Sequence, residues 1–143
     1  YLENGGHGDF ALHALPSNIQ VSPINSVSVC HLNDDPYLDF LAVGNSFAEE
    51  TLSGYLDAGI GVYALGNGDG TFQIIPPYQS GFCVMTDAKT IREIKIGNKR
   101  KWIVTSNQAP MMMFVENEKN GKKLKTKTSD LLTFSRDKAK RKQ

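Results

Sequence analysis

The chain is poor in the residues on which most protein chemistry depends: its 143 residues include two cysteines, three histidines and one tryptophan. Cys30 and Cys83 form no C-x-x-C pair and have no histidine at ligand spacing, so they make no zinc motif. Isolated in the apolar stretches "SVSVC" and "GFCVM", they read as small buried hydrophobes, with pairing open to an exported protein. His7, His13 and His31 lie in no G-x-S-x-G or H-E-x-x-H context, which removes the nucleophile-elbow hydrolases and the zincins. Ser80-Gly81 is a turn signal and not such an elbow. No run of about 18 apolar residues occurs, so no helix is expected to span a membrane. No apolar 3.6-residue period persists over four turns, while 13 glycines and 6 prolines recur along the chain, and both facts count against a helical fold.

What is present fits one modest domain. The hydrophobic content is 40 % and the net charge +1, but that charge is unevenly spread. Residues 1–118 carry 6 Lys+Arg against 13 Asp+Glu, and residues 119–143 carry 10 against 2, so the two parts sit at −7 and +8. Clustered lysine and arginine can release counterions from phosphates, yet no aromatic ladder interleaves them. Nucleic acid is therefore not expected as a partner, and residues 128–143 read as a solvated basic tail behind a last strand.

An internal repeat organises the acidic part. "YLENGGHGDF" (1–10) aligns without a gap on "YALGNGDGTF" (63–72): an aromatic residue first, glycines at the sixth and eighth places, phenylalanine last. A degenerate third copy, "FVENEKNGKKL", starts at Phe114. Glycine and asparagine tolerate the positive φ of a tight reversal, so each copy predicts strand, turn, strand. A second kind of pair lies between these hairpins. "SVSVCHL" alternates and "DFLAV" is continuously apolar, as in a sheet buried on both faces. "TIREIKIGNKRKWIVTS" (90–106) repeats that plan, and "MMM" at 111–113 reads as strand core.

The expected fold is all-β: antiparallel four-stranded units at the spacing of β-propeller blades, about two and a half of them. Residues 1–15 are the closing hairpin of a truncated blade. Residues 26–75 are a blade with an inserted loop over 46–59, where Ser46 could cap at most one turn of helix. Residues 80–127 are a second, degenerate blade with strands from about Thr90, and 128–143 the tail. So few blades cannot close a ring. The first residues already resemble the interior of a repeat, so the chain is expected to be a fragment of something longer. It should need further blades or another copy of itself to cover its strand edges.

"HLNDDPYLDFLAVGN" followed by "GIGVYALGNGDGTF" resembles the FG-GAP/VCBS repeat family, the blades of integrin α-subunit propellers and of large exported bacterial proteins; the stretch from Gly54 to Pro110 is similar to the C-terminal end of the Bacteroidetes-type members. The resemblance covers residues 1–117. It implies a secreted or cell-envelope protein and a calcium loop of pattern D-x-[DN]-x-D-G-x-x-D. His31 takes the first ligand place, Asn33 the third, Asp35 the fifth, Pro36 the glycine place, Tyr37 the carbonyl place and Asp39 the ninth. Calcium prefers six to eight oxygens, so an imidazole is a poor first ligand, and proline cannot turn left-handed. The loop is then either a calcium site at Asn33, Asp35 and Asp39 or a scaffold in which Asn33 and Asp39 bond backbone groups. "GNKRKW" in the other unit replaces the acidic loop with basic residues, and Asp69 reads as a turn aspartate.

Function follows as an expectation. Asp34, Asp35 and Asp39 are too close in one loop to face each other across a cleft as a glycosidase pair does, so no enzymatic role is expected. The expected role is protein or glycan binding through rim loops, with Glu49, Glu50, Tyr55 and Asp57 of the insertion as contact residues. The alternative is an accessory propeller portion of a polysaccharide-processing enzyme whose active site lies outside this chain.

Overall fold

The computed structural model describes residues 1–48, 54–117 and 123–127. Over these residues the protein is all-β with antiparallel sheets. Strands β1 (Leu2–Gly6) and β2 (Asp9–Leu12) form a two-stranded ribbon. Strands β3 (Ile24–Cys30), β4 (Asp39–Gly44), β5 (Val62–Gly66) and β6 (Phe72–Ile74) form one four-stranded sheet in that order. Strands β7 (Ala88–Ile96), β8 (Lys99–Ser106), β9 (Ala109–Asn117) and β10 (Lys123–Lys127) form a second. A 3-10 turn at Ser17–Ile19 and one helical turn, α1 (Pro77–Ser80), are the helical elements among the described residues, and Gly81 caps α1 at φ 74°.

The two aligned hairpins turn at the residues the repeat predicts. Gly6 and Gly8 sit at φ 85° and 90°, and Gly68 and Gly70 both at 81°, conformations that cost glycine nothing. The pairing repeats as well: the Tyr1 carbonyl accepts from His13 N–H at 2.9 Å, and 62 residues on the Tyr63 carbonyl accepts from Ile75 N–H at 2.8 Å.

β4 is the spine of the molecule, with every residue from Asp39 to Val43 buried. Alternation sends Leu41 and Val43 into a core shared with Trp102, Val104, Ile91 and Phe114 of the second sheet. Phe40 and Ala42 point into a smaller cluster on the opposite side, with Ile19, Val62 and Ala64. The sheets meet where β3 and β4 lie against β7. Polar groups stitch that seam: Asn25 Nδ2 donates to the Ala88 carbonyl at 2.8 Å, and Ser26 Oγ accepts from Ile91 N–H at 3.2 Å.

The structure decides which face of β3 turns inward and corrects two expectations. In β3 it is the serines that face the second sheet and the valines that face outward, Val27 and Val29 being exposed; small serines let β3 approach β7 and supply an acceptor there. Cys30 is buried as expected but Cys83 is exposed, because Phe82 and Val84 on either side of it take the inward positions. The third repeat copy is out of step by one residue. Val43 opposes Ser26, and Thr105 opposes Thr90, each beside the same irregularity in its sheet. Matching these puts Trp102 on Phe40 and Val104 on Ala42, again 62 residues apart. Phe114, which pairs with Trp102, is then the counterpart of Ala64, and Met113 that of Tyr63. A one-residue slip reverses every side chain in a strand, so aligning the aromatics alone chose the wrong face. Met112 joins the core, while Met111 and Met113 are half-buried on the other face.

Candidate functional site

The neck of the 46–59 loop is built around Asn45, which follows β4 at φ 77° and is fully buried. Asparagine tolerates this left-handed conformation better than most residues. Its Nδ2 donates to the carbonyls of Gly59 at 2.8 Å and Thr86 at 3.3 Å, and its Oδ1 accepts from Gly59 N–H at 2.9 Å and from Ser22 Oγ at 2.7 Å. One side chain thus ties together both ends of the inserted loop and the start of the second sheet. Ser46 and Leu56 close the neck with a reciprocal backbone pair of 3.0 and 2.9 Å.

Beyond this neck Phe47 and Tyr55 stack with ring centroids 5.2 Å apart, tilted by 34°. Tyr55 is 67 % exposed, and Asp57 beside it is exposed too. Nearby, Asp87 is out of water, pairs with Lys89 Nζ at 2.5 Å and accepts from Asn107 Nδ2 at 3.4 Å. The hydrogen bond from Lys89, more than any other group, keeps the Asp87 carboxyl below the usual carboxylate range. A mostly apolar cleft of about 250 Å³ opens beside the same neck, between Ser22–Ile24 and Ala58–Gly61. Glu49 and Glu50, expected as contact residues, lie outside the described residues.

The 31–39 loop is held by its own hydrogen bonds. Asp39 is buried, with Oδ2 accepting from Leu32 N–H at 2.5 Å and Oδ1 from Gly66 N–H at 2.9 Å. Asp35 Oδ1 accepts from Tyr37 N–H at 2.9 Å, and its Oδ2 accepts from the Asn33 amide. Asn33 Oδ1 accepts from Asp35 N–H at 3.2 Å. His31 Nδ1 lies 2.7 Å from the Tyr37 carbonyl, the group at the seventh place of the loop pattern. The side-chain oxygens at 33, 35 and 39 each receive an N–H, and among the described residues no three His, Cys, Asp or Glu side chains converge. A cation does reach the loop from the second sheet. Arg100 Nη2 donates to the His31 carbonyl at 2.7 Å and lies 3.5 Å from Glu116, with its guanidinium 5.4 Å above the Trp102 ring. The basic "GNKRKW" segment is thus a bracket for the aspartate loop, a role invisible until the sheets stack.

Groups that titrate near neutrality in an active site are here pushed the other way. Burial, reinforced by the nearby Glu93 charge, raises the Cys30 thiol to about 12. Burial, then the Asp39 charge, raises the Tyr63 hydroxyl. Both are neutral at physiological pH and make poor nucleophiles. Comparison with protein-family models, curated proteins and solved structures finds no match.

Proposed function

We propose that this chain is a non-catalytic run of β-propeller blades from an exported or cell-envelope protein, and that it binds a protein or glycan through its rim loop. The blade reading is supported by the direction of equivalent residues. Phe40 and Trp102, Ala42 and Val104, and Ala64 and Phe114 all face backward along the stack, as a rotational repeat requires and a face-to-face sandwich does not. The export reading is supported by the resemblance to FG-GAP/VCBS repeats. The 31–39 loop serves this assembly as a hydrogen-bonded brace between blades.

The single observation that carries the binding role is the exposed Phe47–Tyr55 pair on a neck fixed by Asn45 and the Ser46–Leu56 backbone pair. Exposed rings on a rigid base offer large contact area at little ordering cost, the usual anatomy of a binding hot spot. The test is biolayer interferometry of the chain against immobilised polysaccharides and extracellular-matrix proteins. A genuine ligand should lose affinity by about tenfold or more in a Phe47→Ala/Tyr55→Ala variant while the melting temperature stays put. Equal binding by the variant, or no binding across the panel, would reject the rim as the site.

A further inference from the structure

The same repeat position is buried in one hairpin and open in the other. Tyr63 is 5 % exposed and its counterpart Tyr1 is 37 % exposed; Ala64 is fully buried and its counterpart Leu2 is 64 % exposed. The difference has a definite source. β5 is flanked by β6 on one edge and β4 on the other, whereas β1 is flanked by β2 alone. Tyr1 exchanges both backbone hydrogen bonds with His13, so antiparallel alternation aims the N–H groups of Leu2 and Asn4 at the unpaired edge. Beside that edge lies a wholly apolar groove of about 350 Å³ over the outward face of β3, walled by Val27, Val29, Leu38, Phe40 and Tyr1. The opposite face of β3 is the one on which β7 packs.

We propose that this groove and the free edge of β1 together form a docking site for a two-stranded antiparallel β-ribbon of the chemistry of Ile24–Gly44, one strand alternating and the other continuously apolar. One strand pairs with β1 through the Leu2 and Asn4 amides, and the ribbon's apolar side chains cover Val27 and Val29. The occupant is specified twice: the edge needs a strand, and the repeat dictates that β1 should carry the counterpart of β4, as β5 does. Leu38 and Phe40 offer no polar group to orient a small ligand. Because Tyr1, which leads into β1, already lies against the back face of the first sheet, edge-on to Phe72 at 6.0 Å with its hydroxyl donating to the Gly70 carbonyl at 2.8 Å, the ribbon extends an existing contact. The proposal rests on the blade reading above.

The test joins a second copy of residues 22–62 directly ahead of Tyr1, reproducing the natural Val62–Tyr63 junction. Docking should raise the melting temperature by about 5–15 °C, reduce binding of a hydrophobic dye, and slow amide exchange at Leu2 and Asn4. Introducing Val29→Asp in the original β3 should abolish these gains. An added ribbon that exchanges freely while Leu2, Asn4 and the melting temperature are unchanged would overturn the proposal and leave the blade reading intact. A parent chain that forms a stable dimer dissociated by Val29→Asp would also overturn it, since the occupant would then be a second copy. Rapid exchange of the parent's Tyr1–His13 pairing would instead undo the blade reading on which the proposal stands.

Discussion

Replacing Asp39 by alanine is the sharpest probe of the aspartate loop. Its two oxygens hold the N–H groups of Leu32 and Gly66 in a site closed to water. Truncation leaves both amides buried without an acceptor, at about 1–3 kcal/mol each, so the loss should be about 2–6 kcal/mol. In a chain of this size the melting temperature should fall by about 6–24 °C. Asp39→Asn keeps one acceptor but turns an amide N–H₂ toward a second donor, so it should lose roughly half as much. Urea denaturation of the parent and both variants, with and without calcium, provides the measurement. A brace owes nothing to a cation, so calcium should leave the midpoint unchanged, whereas a site holding calcium at 100 times its Kd would add about 2.7 kcal/mol. An alanine variant within 1 kcal/mol of the parent, or a calcium-dependent gain of that size, would refute the reasoning.

Two further outcomes follow from ionisable groups. Cys83 should react with a thiol reagent in the native protein and Cys30 only after unfolding, since burial both blocks Cys30 and holds its thiol up at about 12; titration of two fast thiols would contradict this. The Asp87 carboxyl is held low, chiefly by Lys89, while in the unfolded chain it titrates near its ordinary value of about 3.9. Its contribution to stability is therefore complete above that value and lost as pH falls through the lowered native one. The stability gap between the parent and Asp87→Asn should be constant near neutrality and close below about pH 4; a gap that widens on acidification would show the sign to be wrong.

What the amino-acid sequence fixed by itself was local. The continuous apolar run at 40–43 demanded a strand with both faces buried, and the glycines at 6, 8, 68 and 70 demanded left-handed turns, because these constraints act within a few bonds. Direction and partnership were decided only when the sheets stacked. Alternation in β3 is equally consistent with either face inward, and only the approach of β7 chose the serines. Asp39 reads identically as a calcium ligand or a backbone acceptor until Gly66, 27 residues away, brings its amide to 2.9 Å. Arg100 looks like one more surface charge until His31 presents a carbonyl to it across the seam. Tyr1 and Tyr63 are the same letter in the same motif, and a neighbouring strand alone makes one a core residue and the other the wall of an open groove.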